Sequence, residues 1–157
     1  MSRWNRTAAR VLYPDATWLD VKVAPYLSYW EIVCRCGCGF RDLTPMALEM
    51  WWSFRQRIGF PLTCNSACRC ARHNYNVSGR WTGTHVWGMA IDIAWPTRER
   101  LDDAGITRVD VYRAADNLLM HGGLGAYAWG LHLDCRMHPM EGNYRWNDPK
   151  RPWDGKP

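Results

Sequence analysis

The sequence predicts an α+β domain in which a small antiparallel sheet packs against helices. The chain has 157 residues, the usual size of one domain and too short for two ordinary ones. Apolar residues recur at steps of three or four over 44–59 and again over 107–121, the period of an amphipathic helix. Short runs over 88–95, 124–128 and 130–134 carry the alternation or compactness of strands. Residues 1–157 are read as a single domain, with 1–33 an irregular N-terminal arm, 34–146 the core and 147–157 a tail.

Taken in order, the arm mixes Trp, Pro, Tyr and charge without sustained periodicity, so only a short strand or turn is expected there. Thr44 then suits an N-cap and Pro45 the first helical position, with Leu48, Trp51, Phe54 and Ile58 forming the buried stripe before Gly59. Residues 61–64 read as a short strand and 65–69 as a polar loop. The stretch 71–84, with Asn74, Asn76, Ser78, Gly79 and Gly83, reads as loop with one helical turn. In 88–95, Ile91 and Ile93 share one strand face and Ala90 and Asp92 the other. Val109, Tyr112, Ala115 and Leu119 mark the second helix, stopped by Gly122 and Gly123; two strands flank Trp129, and the chain from Pro139 reads as mostly irregular.

Composition narrows the class. Hydrophobic residues are 47% and charged residues 22%, which argues for a folded chain and against disorder or a fibre. No run approaches the ~20 apolar residues of a membrane span, and no apolar secretory core follows the first residues. The expectation is therefore no membrane span, no signal peptide and synthesis in the cytoplasm. A net charge of +5 favours a polyanionic partner, though Lys and Arg are scattered rather than clustered. Eleven Trp against three Phe fit either a core or a cleft lined with flat rings.

Seven cysteines fall as Cys34, Cys36 and Cys38, then Cys64, Cys68 and Cys70, with Cys135 alone. Neither cluster has the paired C-x-x-C spacing of zinc ribbons, and an odd number leaves a thiol over if the others pair within the chain. A structural metal site, packed thiols and one or two disulfides all stay open, with reduced thiols expected at synthesis.

The sharpest pattern is His85-Val86-Trp87-Gly88-Met89-Ala90-Ile91-Asp92, followed forty residues after Asp92 by His132-Leu133-Asp134. With a strand from Gly88, His85 sits in the loop at its mouth. Strand alternation puts His132, Asp134 and Arg136 on one face, so three ligands and a spare carboxylate can converge. Two His and one Asp suit a catalytic zinc, which keeps a fourth position for water, lowers that water's pKa and polarises a carbonyl. Taken singly, a His is usually a surface or hydrogen-bonded structural residue, and a strand Asp can serve only to cap a turn.

His85-x-x-Gly88-x-Ala90-x-Asp92 with His132-x-Asp134 resembles the zinc D-alanyl-D-alanine carboxypeptidase family, whose relatives include murein endopeptidases, phage endolysins and the hedgehog signalling domain. Asn65-Ser66-Ala67-Cys68-Arg69 with His73-Asn74 is similar to the family's Ser-Gly-Tyr-Arg segment and following Asn, with Ala67 and Cys68 in place of Gly and Tyr. Leu124-Gly125-Ala126-Tyr127 before His132, and Arg136 after it, extend the likeness over roughly 34–146. The resemblance implies a hedgehog-like fold whose sheet carries zinc on His85, Asp92 and His132. It also implies Arg69 at the substrate carbonyl or carboxylate, where a fixed cation stabilises an oxyanion, and Asn74 in substrate binding. Arg69 can instead hold its loop through an ion pair.

Many members place a carboxylate three residues before the last zinc His as general base; here that position is Trp129. Asp134 is the first candidate base and equally a residue that orients a ligand or pairs with Arg136, with His73 and His138 behind it. The implied function is zinc-dependent hydrolysis of amide bonds in bacterial peptidoglycan, cross-link or stem peptide, by an endopeptidase or carboxypeptidase. The expected protein is a phage-lysin-like monomer that acts on the periplasmic or extracellular wall and takes no nucleic acid. A catalytically silent wall- or ligand-binding module of the same fold is the alternative, and a Trp-rich nucleic-acid binder with cysteine-bound zinc a weaker one.

Overall fold

Helix α3 (Pro45–Ile58) is the element the sequence defines best, and it forms where expected. Thr44 Oγ1 accepts the amide of Ala47 at 3.2 Å, Pro45 opens the first turn, and Gly59 closes the helix in the left-handed region. Trp51, Phe54 and Ile58 are buried along its inner stripe. The computed structural model describes residues 4–136 and 144–147.

The arm is not irregular. Asn5 caps α1 (Arg6–Leu12), β1 (Lys22–Ala24) and β2 (Leu27–Ser28) pair antiparallel, and α2 (Tyr29–Ile32) follows. Ala9, Tyr13, Leu19 and Val33 form a small core of their own, which is what holds so short a helix in place. Downstream come β3 (Cys64–Ser66), α4 (Ala71–Ser78), β4 (Ala90–Ala94), α5 (Arg98–Ala104), α6 (Arg108–Leu118), β5 (Gly123–Tyr127), β6 (Gly130–Asp134) and β7 (Tyr144–Asn147). The strand expected over 61–64 begins only at Cys64 and takes in Asn65 and Ser66. The single turn expected within 71–84 is a two-turn helix, and β7 lies in a stretch read as irregular.

Five strands run in the order β3-β4-β6-β5-β7. The architecture is α+β as expected, with one refinement: β7 pairs parallel to β5, so the sheet is mixed rather than wholly antiparallel. One face carries Ile91, Ile93, Leu131, Leu133 and Leu124 against Trp51 and Phe54 of α3 and Val111 and Ala115 of α6. Burying each of the Ile, Leu, Val and Phe side chains among them contributes roughly 1.5–3 kcal/mol. The other face carries chemistry, because the register lines up Ser66, Asp92, His132, Gly125 and Trp146 as one row across all five strands.

Candidate metal centre and its cleft

That row needs small neighbours. At Gly125, beside His132, a Cβ would lie 2.6 Å from the ring of Trp146, so only glycine lets the indole fold over the strand. Trp146 thereby reaches a ring-centroid distance of 5.4 Å from His132. His85 joins the row from the turn before β4. Gly88 makes this possible: its φ of +66° reverses the chain, and its bare Cα passes the Asp42 carbonyl where a Cβ would come within 2.2 Å.

Three donor atoms meet. His85 Nε2 lies 3.1 Å from Asp92 Oδ1 and 3.2 Å from His132 Nδ1, and His132 Nδ1 lies 2.8 Å from Asp92 Oδ1. A tetrahedral zinc with ligand distances near 2.0–2.1 Å has donor edges of about 3.3 Å. The triangle therefore has the size of one zinc face. Hydrogen bonds at the far nitrogens set both rings for it: His85 Nδ1 donates to the Ala67 carbonyl at 2.5 Å, and His132 Nε2 to Asp134 Oδ2 at 3.0 Å. Each ring so turns an unprotonated nitrogen to the shared point.

Burial and mutual contact set the electrostatics of the group. All three residues are buried. Burial pushes the Asp92 carboxyl up, but His85 and His132 outweigh it and hold it well below the carboxylate range. Burial pulls His85 below the ordinary imidazole value. For His132 burial acts the same way and is overcome by its hydrogen bonds to Asp134 and Asp92, which raise it.

Residues 25–122 match the family model described as Peptidase M15. The chain belongs to the Peptidase M15 family. No curated protein and no solved structure matches it. Peptidase M15 members are zinc-dependent, so zinc is the cofactor, and His85, Asp92 and His132 are the group that fits it. The match takes in Arg69, His85 and Asp92 and ends before β5, so His132 joins the set through the sheet register.

The surrounding residues divide by what they touch. Arg69 lines the cleft, with one guanidinium nitrogen 2.5 Å from Asp92 Oδ2 and Nε 3.1 Å from Ser66 Oγ. It thus makes the ion pair and faces the cleft at once. Asn74 also lines the cleft, but its NH2 group donates to the carbonyls of Arg80 and Thr82 and so ties down the loop leading to His85. Asp134 is fully buried; Oδ1 accepts from Gly123 N, Arg136 N and Arg136 Nε, and Oδ2 from Arg136 and His132. His73 turns away to Cys34, with Nδ1 3.3 Å from its sulfur. His138 lies outside the described residues.

The cleft above the metal group has a volume of about 640 Å³. Trp87, Trp129 and Trp146 line it, while Trp51 and Trp95 are buried in the core, so the tryptophans serve both purposes. Trp129 stacks on Tyr127 at 4.8 Å between centroids. Among the described residues lining the cleft, Asp92 is the one carboxylate. Sequence reasoning did not foresee Trp146 here, because its strand pairs across the sheet with β5 rather than with a neighbour in sequence.

Proposed function

We propose that this metallopeptidase hydrolyses amide bonds in the peptides of bacterial peptidoglycan, cutting a cross-link or stem peptide at the periplasmic or extracellular wall in the manner of a phage lysin. The observation that carries the reading is the triangle of His85 Nε2, Asp92 Oδ1 and His132 Nδ1 at the base of a cleft, with both imidazole tautomers set by hydrogen bonds. Bound zinc supplies a Lewis acid for the scissile carbonyl and lowers the pKa of water.

The chain's own residues account for the rest. Arg69 and Arg136 place cations along the cleft, suited to a substrate rich in carboxylates, and to Arg69 we assign the stabilisation of the oxyanion that develops during attack. Trp87 and Trp129 offer flat, exposed rings for the sugar and lactyl carbons. Asp134, with both oxygens engaged, is a positioning residue: it fixes His132. Mass spectrometry of purified peptidoglycan digested by the zinc-loaded protein tests the proposal. New peptide termini, absent with His85→Ala, support it, and an undigested wall refutes it.

One observation favours a second reading. Trp129 occupies the position at which related enzymes carry a carboxylate, and no lining residue among those described replaces it. A module that binds wall peptide without turnover would show saturable peptide binding and no new termini.

A further inference from the structure

The two cysteine clusters, separate in sequence, are one cluster in space. The sulfurs of Cys34, Cys36, Cys38 and Cys70 all lie within 4.8 Å of one another. Cys34 Sγ is 3.4 Å from Cys36 Sγ, which is 3.6 Å from Cys70 Sγ. We propose that these four cysteines hold a second, structural zinc ion, separate from the His85 centre.

Backbone geometry builds the site. Along an extended chain, alternate side chains on one face stand roughly 7 Å apart, too far to share an ion. Gly37 and Gly39, at φ of +85° and +80°, fold Cys-Arg-Cys-Gly-Cys-Gly back on itself so that alternate sulfurs converge. Cys70 closes the set from the start of α4, where it is the N-cap. With Zn–S bonds near 2.3 Å, a tetrahedral thiolate site has sulfur–sulfur edges of about 3.8 Å. The cluster has that size, and Cys36 stands between Cys34 and Cys70 with no preference for pairing with either.

Amide donors surround the sulfurs as they would thiolates. Cys70 N–H donates to Cys34 Sγ at 3.3 Å and His73 N–H to Cys70 Sγ at 3.4 Å. Such bonds offset the negative charge that four thiolates keep around a divalent ion. Four soft sulfur donors select zinc over hard cations and leave no open position, so the site is structural. His73 Nδ1, near Cys34, serves as hydrogen-bond partner rather than ligand. The ion would tie the loop after α2 to the first turn of α4, one residue beyond Arg69, and so anchor the wall of the cleft.

The test is metal content and cobalt spectroscopy on the full chain, purified under reducing conditions. Two zinc ions per chain are expected in the wild type and one in His85→Ala, in Cys36→Ser and in Cys38→Ser; His73→Ala should keep two. Cobalt(II) loaded into His85→Ala, whose cysteines are intact, should show sulfur-to-metal charge-transfer absorption and the visible bands of a tetrahedral ion. This measurement does not depend on whether a cysteine variant folds or on peptidase activity. One zinc per chain in the wild type that is lost in His85→Ala, no thiolate–cobalt bands in His85→Ala, iron in place of zinc, or two zinc ions retained by folded Cys36→Ser would each overturn the assignment.

Discussion

His132 Nε2 donates to Asp134 Oδ2 at 3.0 Å, two residues along the same strand, while Arg136 and the Gly123 amide grip the same carboxylate. The pair fixes which nitrogen of His132 faces the metal. Burial raises the Asp134 carboxyl, and Arg136 and His132 more than reverse it, so the group stays ionised. A carboxylate holding these donors is poorly placed to collect a proton from water.

Asp134→Asn should therefore weaken zinc binding, by about ten- to a hundredfold, the usual effect of losing such an outer partner. Chelator competition measures it. Full zinc affinity together with lost turnover would instead assign Asp134 to proton transfer.

Zinc binding should also govern thermal stability. A ligand that binds only the native state adds about 2.7 kcal/mol at a hundredfold excess over its Kd. The melting temperature of the wild type should rise with free zinc, and replacing His85 or His132 with Ala should remove the part due to this centre. Scanning calorimetry across a zinc series decides it, and equal zinc dependence in both variants would remove His85 and His132 from the ligand set.

The legible parts of this protein are those written in local periodicity. Thr44, Pro45 and Gly59 mark both ends of α3, and alternation in β4 and β6 already puts Asp92 and His132 on faces that can meet. Helix α4 was hidden because Asn74, Asn76 and Ser78 are weak helix formers; Cys70 at its start and left-handed Gly79 at its end hold it. The seven residues of α1 bury only Ala9, too little for a visible stripe. Contacts far apart in sequence left no trace: the parallel pairing of β7, the Trp146 wall and the meeting of Cys70 with Cys36.

Gly88→Ala tests why the metal motif contains glycine. An added Cβ would meet the Asp42 carbonyl at 2.2 Å from a backbone already at φ +66°, and neither partner is a flexible side-chain end. Left-handed strain alone costs of order 1–3 kcal/mol. Urea unfolding should show a loss of at least that size, and an unchanged midpoint would contradict the close approach.

Glu31 gives a pH signature away from the metal. Burial raises its pKa, against lowering by the Ser28 amide that it caps at 2.8 Å. A carboxyl whose folded value lies above its unfolded value binds more protons when folded, so its contribution is full below the ordinary value near 4.3 and is lost as pH rises through the folded one. Relative to Glu31→Gln, the wild type should gain stability as pH falls from about 7 to 4. Paired denaturant titrations at several pH values check it; a difference that is flat or shrinks on acidification would sink the assignment.

Arg69 is the remaining test of chemistry against architecture. Its guanidinium bonds Asp92 and Ser66 and also lines the cleft, so both roles are geometrically present. They separate in kinetics. If the cation acts on charge that develops during attack, Arg69→Ala should lower kcat/KM by roughly 10²-fold with zinc content unchanged, the scale of losing one oxyanion stabiliser. If its work is to hold Asp92, zinc affinity should fall in step with activity, and added zinc should restore turnover. Steady-state kinetics over a zinc series distinguishes the two outcomes, and we expect the loss to persist at saturating zinc.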